Sequence, residues 1–376
     1  MNKKYYYFDN STTSFPKPKE VAEYMSDFIL NSGGTYGRVN TERGLDTTRK
    51  IEECRELLAN IIGTKKDNHI VFTSGATRSI NDILIGLNLN NKKVLISTLE
   101  HNAVIRPIHH LSKTINLEYK VLEHLDNGLI DLESLKNYIN NFKPYLVIVN
   151  MESNISGVIQ DIKKIKDIIG DTLLLVDATQ AIGVHNIYVD EWDIDFIAFT
   201  CHKGLLGPTG VGGYFIKNPS ILKPAYFGGG FGDGVETPYS IPEIYESGTP
   251  NTVGIIGLLA ALKHKPTWNI TIYDLISIIK KIESLNKYKV LWSKDISTQG
   301  FVFSIVPFDN SIDMSDLVNK LYDKYHIECR YGYHCSFLSH KFYNNSKGAI
   351  RFSFSPYTTN EDLEYLYLAL KEVIVL

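Results

Sequence analysis

The sequence predicts an α/β protein with a mainly parallel sheet covered on both faces, followed by a smaller α+β unit. Three observations carry that expectation. Short continuous apolar runs, such as Leu146-Val147-Ile148-Val149 and Phe196-Ile197-Ala198-Phe199, alternate with stretches of helical periodicity. Strands buried on both faces look like this. Polar or glycine-rich clusters follow most of these runs, at the carboxyl ends of strands, where ligands bind on such sheets. The chain of 376 residues is long for one core, so two domains, or one large domain with an appendage, are expected.

Taken in order, Phe8 to Pro18 is a polar turn with prolines at 16 and 18, so helix begins no earlier than about Pro18. Val21, Tyr24, Met25, Phe28 and Ile29 recur at helical spacing until Gly33-Gly34 breaks the pattern. A second helix carries Leu45, Ile51, Cys54, Leu57, Leu58 and Ile61 and stops at Gly63. Cys54 lies on its apolar face and reads as core. From His69 onward strands alternate with helices. The strand runs are Ile70–Phe72, Val94–Ile96, Leu117–Tyr119, Leu146–Val149, Leu173–Val176, Phe196–Thr200 and Tyr214–Ile216. Gly228 to Gly234 is too glycine-rich for regular structure, and it lacks the Gly-Lys-Ser/Thr of a nucleotide P-loop. A helix through Ile255, Leu258, Leu259 and Leu262 ends at Lys263-His264-Lys265-Pro266, where a domain boundary is expected. The remainder reads as helix 270–285, strand 301–306, helix 315–325, strand 348–354 and helix 360–374. The expected division is an arm, 1–18, joining the smaller domain; a large domain, 19–265; and a small domain, 266–376.

Composition narrows the function classes. Apolar residues at 44% and charged residues at 22% are ordinary for a globular chain. A net charge of -3 offers no nucleic-acid footprint. No apolar run approaches a membrane span, and Met1 to Tyr7 lacks the apolar segment of a secretory signal. The cysteines, Cys54, Cys201, Cys329 and Cys335, show neither CxxC pairs nor zinc spacing. A reducing, cytoplasmic setting is expected, with no metal, nucleic acid or membrane partner.

The chemistry-bearing residues sit at strand ends. Lys203 closes Thr200-Cys201-His202-Lys203 after one run, and Asp177 closes Leu174-Leu175-Val176-Asp177 before it. An amine beside a carboxylate suits pyridoxal phosphate (PLP): the amine condenses with the aldehyde, and the acid keeps the pyridine nitrogen protonated. Asp177 is costly to bury unpaired, and a protonated ring would pair it. Thr73-Ser74-Gly75-Ala76-Thr77 opens a helix after a strand, as a phosphate turn or an ordinary N-cap does. His101 begins another helix, either as a ring-stacking imidazole or as a surface histidine. Asn154 is a potential donor or a plain turn residue, and Gln180 lies three residues beyond Asp177.

The ordered set resembles the class V aminotransferase family of fold-type I PLP enzymes, and within it the cysteine desulfurases and selenocysteine lyases. The matching stretches run from Asp9-Asn10-Ser11-Thr12-Thr13 through Glu100-His101-Asn102, Asn154-Ile155-Ser156-Gly157 and Glu246-Ser247-Gly248-Thr249-Pro250-Asn251 to Arg351-Phe352-Ser353. The resemblance implies a large domain with a mainly parallel seven-stranded sheet and a small α+β domain carrying Cys335 and Arg351. It implies that Lys203 bonds the cofactor, Asp177 pairs the ring nitrogen, and His101 stacks and shuttles protons. Asn154 and Gln180 would contact the ring hydroxyl. Gly75, Ala76, Thr77, Thr200 and His202 would hold the phosphate, with Thr249 donated by the second subunit of a homodimer. Arg351 would clamp the substrate carboxylate, with Asn154 and Asn10 beside the substrate. The family's arginine near the second helix has two candidates here, Arg38 and Arg43.

Cys335, in Arg330-Tyr331-Gly332-Tyr333-His334-Cys335, decides the expected reaction. In the resembled family a cysteine here takes sulfur from L-cysteine as a persulfide, leaves alanine, and passes the sulfur to an acceptor such as a protein. His334 or Arg330 is expected to lower the thiol pKa, while Cys329 reads as packing. The alternatives are selenocysteine lysis, another C–S β-elimination, or transamination. A PLP-binding or sulfur-carrying partner without turnover of its own is the reading outside enzymes.

Overall fold

A computed structural model describes residues 4–37, 40–230, 235 and 239–374. The chain opens with β1 (Tyr6–Tyr7), after which helix Lys19–Asp27 starts just beyond Pro18. Helix Glu42–Ile61 follows, with the Thr41 hydroxyl accepting from the Gly44 N–H as its N-cap.

The central sheet holds β2 (Ile70–Thr73), β3 (Lys93–Ser97), β4 (Glu118–Leu122), β5 (Leu146–Asn150), β6 (Leu173–Asp177), β7 (Phe196–Thr200) and β8 (Gly212–Ile216). Their order is β2-β8-β7-β6-β5-β3-β4. β8 runs antiparallel to both β2 and β7, and the other pairings are parallel. The continuous apolar runs have a direct cause. Ile197 and Phe199 enter the core on one face of the sheet, with Val147, Val149, Leu174 and Val176. Phe196 and Ala198 enter the core on the other, with Leu146, Ile148 and Leu175. Alternate side chains point to opposite faces, and both faces are covered by helices. At roughly 1.5–3 kcal/mol for each fully buried large apolar side chain, a polar residue inside these runs would be expensive.

The remaining strands are β9 (Tyr288–Leu291), β10 (Val302–Pro307), β11 (Ile327–Glu328), β12 (Arg330–Gly332) and β13 (Ala349–Ser353). β12-β13-β10-β9 form an antiparallel sheet, packed against helices Ile272–Ser284, Met314–Tyr325 and Asn360–Val373 around a second core. β1 pairs in parallel with β11, and Phe8 inserts into this second core. β9 and helix Phe337–Phe342 have no counterpart in the sequence reading. Both are short, and periodicity cannot register over so few residues. Phe231 to Gly234 of the glycine-rich loop, and Arg38, lie outside the described residues.

Candidate active site

Parallel pairing sets the site. β5 and β6 align so that Asn150 faces Asp177, and β6 and β7 align Asp177 with Ala198. The carboxyl ends of adjacent strands therefore finish together, and the loops that follow converge. They line a cavity of about 380 Å3 that receives Lys203, Asp177, His101, Gln180, Thr200 and His202. The same cavity receives Gly75, Ala76, Thr77 and Asn154, and from the C-terminal part of the chain Cys335 and Arg351.

Helix Ala76–Gly86 opens toward the cavity without a side-chain cap, so its first N–H groups have no helix partner. Gly75 precedes it at φ 151°, a backbone conformation that only glycine adopts freely. Gly212 of β8 packs against this turn: a Cβ there would lie 2.5 Å from Gly75 Cα. Unbonded donors at a helix start make an anion site. Nearby, the buried Thr179 hydroxyl and His202 Nδ1 have no hydrogen-bond partner among the described residues.

Asp177 is buried, and one oxygen accepts from the Thr179 N–H at 2.9 Å. The Lys203 amine makes no hydrogen bond or ion pair among the described residues. Burial, helped by the Arg351 charge and opposed by Asp177, Asp9 and Cys335, brings its amine down to about 8. His101 N-caps helix Asn102–Thr114, its Nδ1 accepting from the Ala103 N–H at 3.0 Å. Burial lowers its pKa to about 4 against the pull of Asp177, so the ring is neutral with its proton on Nε2. These groups fit PLP: a free amine, a buried carboxylate with bonding capacity to spare, a neutral imidazole and an uncapped helix start.

The loop bearing Cys335 is tied to the sheet. Its carbonyl accepts from the Asn102 N–H at 2.7 Å. Asn154 donates through Nδ2 to the His334 carbonyl at 2.8 Å and accepts from the Ser336 hydroxyl at 2.7 Å. Cys335 itself is exposed, at φ 57°, and also borders a groove of about 540 Å3 beside helices Ala76–Gly86 and Asn102–Thr114. His334 does not meet the expectation of a charge beside the thiol. It is buried, its Nε2 donates to the Ala349 carbonyl at 2.9 Å, and burial holds its pKa well below the usual histidine range. Of the two expected neighbours, Arg330 alone carries charge.

Other expected residues fall elsewhere. The Asn10 amide donates to the Tyr7 and Ser353 carbonyls, and Asn10 borders a smaller cavity of about 40 Å3 rather than the main one. The Asn154 side chain is largely spent on the Cys335 loop. Thr249 is exposed and borders a separate cavity of about 240 Å3, which shares Ser74 and Gly210 with the main one. Arg43 is exposed and does not line the main cavity. Sequence reasoning assigned no role to Asp9, Thr12 or Glu100. Arg351 donates through Nη2 to Asp9 at 2.7 Å and to the Thr12 hydroxyl at 2.8 Å. Glu100 is fully buried beside Asp177, and burial raises it to about 8. A carboxylate between the apolar Leu99 and His101, just after a strand, was its available signal.

Lysine, acid and histidine at the strand ends of a mainly parallel sheet define the class, an α/β enzyme site of the fold-type I PLP kind. The Aminotransferase class-V family matches residues 6–366, and the chain belongs to that family. It is 32% identical to a probable cysteine desulfurase of Haemophilus influenzae, over 98% of this chain and 85% of the relative. It is 30% identical to one of Pyrococcus abyssi, over 98% of this chain and 94% of the relative. A solved apo structure of the cysteine desulfurase from Thermococcus onnurineus NA1 superposes with a TM-score of 0.91. That protein is 28% identical, with 99% of this chain and 95% of the other covered.

Proposed function

We propose that the protein is a PLP-dependent cysteine desulfurase that converts L-cysteine to L-alanine and takes the sulfur as a persulfide on Cys335. One observation carries the reading: Cys335 lines the same cavity as Lys203, Asp177, His101 and Arg351. The names of the relatives support the substrate.

In this reading Lys203, Asp177, Gln180 and the turn Gly75-Ala76-Thr77, with Thr200 and His202, hold PLP. When bound, PLP supplies an aldehyde for amines and a ring that draws electrons from the substrate's Cα. Lys203, its amine brought down to about 8, gives and takes a proton at Nζ near neutral pH. His101 offers a proton at Nε2, because Nδ1 is committed to the Ala103 N–H. Arg351 receives the carboxylate. The Cys335 thiolate attacks the substrate sulfur: an S–S bond forms, the Cβ–Sγ bond breaks, its electron pair stays with carbon, and carbon takes a proton. In sum, L-cysteine and the Cys335 thiol give L-alanine and the Cys335 persulfide. Exposure of Cys335 supports onward transfer to a thiol or a protein acceptor.

We further propose a homodimer, in which the exposed Thr249 serves the phosphate of the other subunit. The free state of the cysteines supports a reducing compartment such as the cytoplasm. The test is sulfide and alanine release from L-cysteine by holoenzyme, wild type beside Cys335→Ala, with the cofactor absorbance recorded. Equal release of both by wild type, lost in the variant while the absorbance still responds to cysteine, is expected. No release by wild type would overturn the reading. Undiminished turnover by Cys335→Ala would point to selenocysteine lysis, another C–S β-elimination or transamination.

A further inference from the structure

Arg351 is buried, and both of its terminal nitrogens are already engaged. Nη2 donates to Asp9 Oδ1 at 2.7 Å and to Thr12 Oγ1 at 2.8 Å. One N–H of Nη1 donates to the Asn154 carbonyl at 3.2 Å. Nε is buried and has no partner among the described residues. A guanidinium grips a carboxylate bidentately through two parallel N–H groups, either Nη1 with Nη2 or Nε with Nη2. Both pairs need Nη2. Without Nη2, Nε and Nη1 present no parallel pair of N–H groups and cannot hold one carboxylate bidentately.

Asp9 is fixed to do this. Its backbone bridges in parallel to Ser353 beside β13, two residues beyond Arg351, and its Oδ1 also accepts from the Thr12 hydroxyl at 2.9 Å. Thr12 in turn accepts from Arg330 at 3.3 Å, so Asp9 and Thr12 link both arginines at the cavity. Arg351 is 2% exposed, so its ion pair with Asp9 is little screened by water. Asp9 does not line the cavity itself and acts from behind the guanidinium.

We infer that Asp9 is a positioning residue that sets how tightly the site holds an amino acid's carboxylate, by occupying Nη2 of Arg351 and denying it a bidentate grip. The inference rests on the reading of Arg351 as the carboxylate receptor. A site restrained in this way releases alanine more readily than an unpaired arginine would, and its grip on incoming cysteine is weakened by the same amount.

The experiment titrates holoenzyme with L-alanine and with L-alaninamide, following the cofactor absorbance, in wild type, Asp9→Asn and Arg351→Gln. Asparagine removes the charge that holds Nη2, so an incoming carboxylate can displace the neutral amide oxygen from it. Asp9→Asn is expected to tighten L-alanine about tenfold, the weight of one charge-assisted hydrogen bond, and to leave L-alaninamide unchanged. The KM for L-cysteine falls in parallel, without a rise in kcat. If Asp9→Asn leaves the alanine-to-alaninamide ratio unchanged or lowers it, while Arg351→Gln weakens alanine selectively, the inference is overturned and the receptor reading stands. If Arg351→Gln weakens both ligands equally or neither, the receptor reading fails and the inference with it. Should Asp9→Asn not fold, Asp9→Ser reads the same ratio.

Discussion

Replacing Gly212 by alanine perturbs the phosphate turn without altering any side chain that would bond a cofactor. The added Cβ would lie 2.5 Å from Gly75 Cα, 2.6 Å from the Phe199 carbonyl oxygen and 2.9 Å from the Gly75 carbonyl carbon. All three are backbone atoms, so no side chain can swing aside. Ordinary contact begins at 3.4 Å, so the strand and the turn must part by about 0.9 Å, the difference from 2.5 Å. β8 is the less mobile of the two, because Gly212 pairs with Thr73 on one side and Thr200 on the other. The displacement therefore falls on Gly75 and the start of helix Ala76–Gly86. Overpacking of this kind costs about 1–3 kcal/mol. If the turn holds the cofactor phosphate, a comparable loss weakens PLP binding about 5–150-fold. Fluorescence titration of apo-protein with PLP measures this directly. Gly229→Ala is the control, since nothing lies within 4 Å of a Cβ there. A Gly212→Ala protein that binds PLP within about twofold of wild type would refute the argument.

Arg55 is fully buried and donates to both oxygens of Glu246, at 2.9 and 3.3 Å, at the head of the segment carrying Thr249. Arg55→Ala strands the Glu246 carboxylate and is expected to cost about 3–5 kcal/mol in urea denaturation. Arg55→Met with Glu246→Gln should recover much of that, because the uncompensated charge is gone, and a double variant no better than the single would contradict this. His124 donates from Nδ1 to the Gly128 carbonyl, accepts from the Thr98 N–H at Nε2, and is lowered by burial to about 4. Its unfolded value is near 6.5, so on acidification the unfolded chain takes up the proton first. The stability it contributes is full above that value and is lost as pH falls toward 4, about 1–2 kcal/mol between pH 7 and pH 5. The drop in urea midpoint over that interval should be smaller in His124→Gln than in wild type, and equal drops would refute the account.

Much of the fold was legible because strand signals are local. The run Phe196 to Thr200 is apolar on both faces, and the strand occupies those residues because both faces are covered. Lys203 and Asp177 drew notice because each charge follows or closes such a run, and the structure brings both to one cavity. β9 was not legible, since Tyr288 to Leu291 is too short to show a period, and it is held by its pairing with β10. His334 was misjudged because its charge state follows from burial against Ala349, which adjacency to Cys335 does not reveal.

By itself the sequence determined the order of strands and helices and the turn chemistry, both set by neighbours within a few residues. Tertiary structure decided who partners whom. Asp9 and Arg351 stand 342 positions apart and meet at 2.7 Å, because β1 joins β11 and Asp9 bridges to Ser353 beside β13. Asn154 and His334 are 180 positions apart and are joined by the bond that holds the Cys335 loop. The physical reason is the range of the forces. Backbone propensity acts over a few residues, whereas a guanidinium's donors and an imidazole's proton answer to whatever lies within about 3 Å, however far off in the chain.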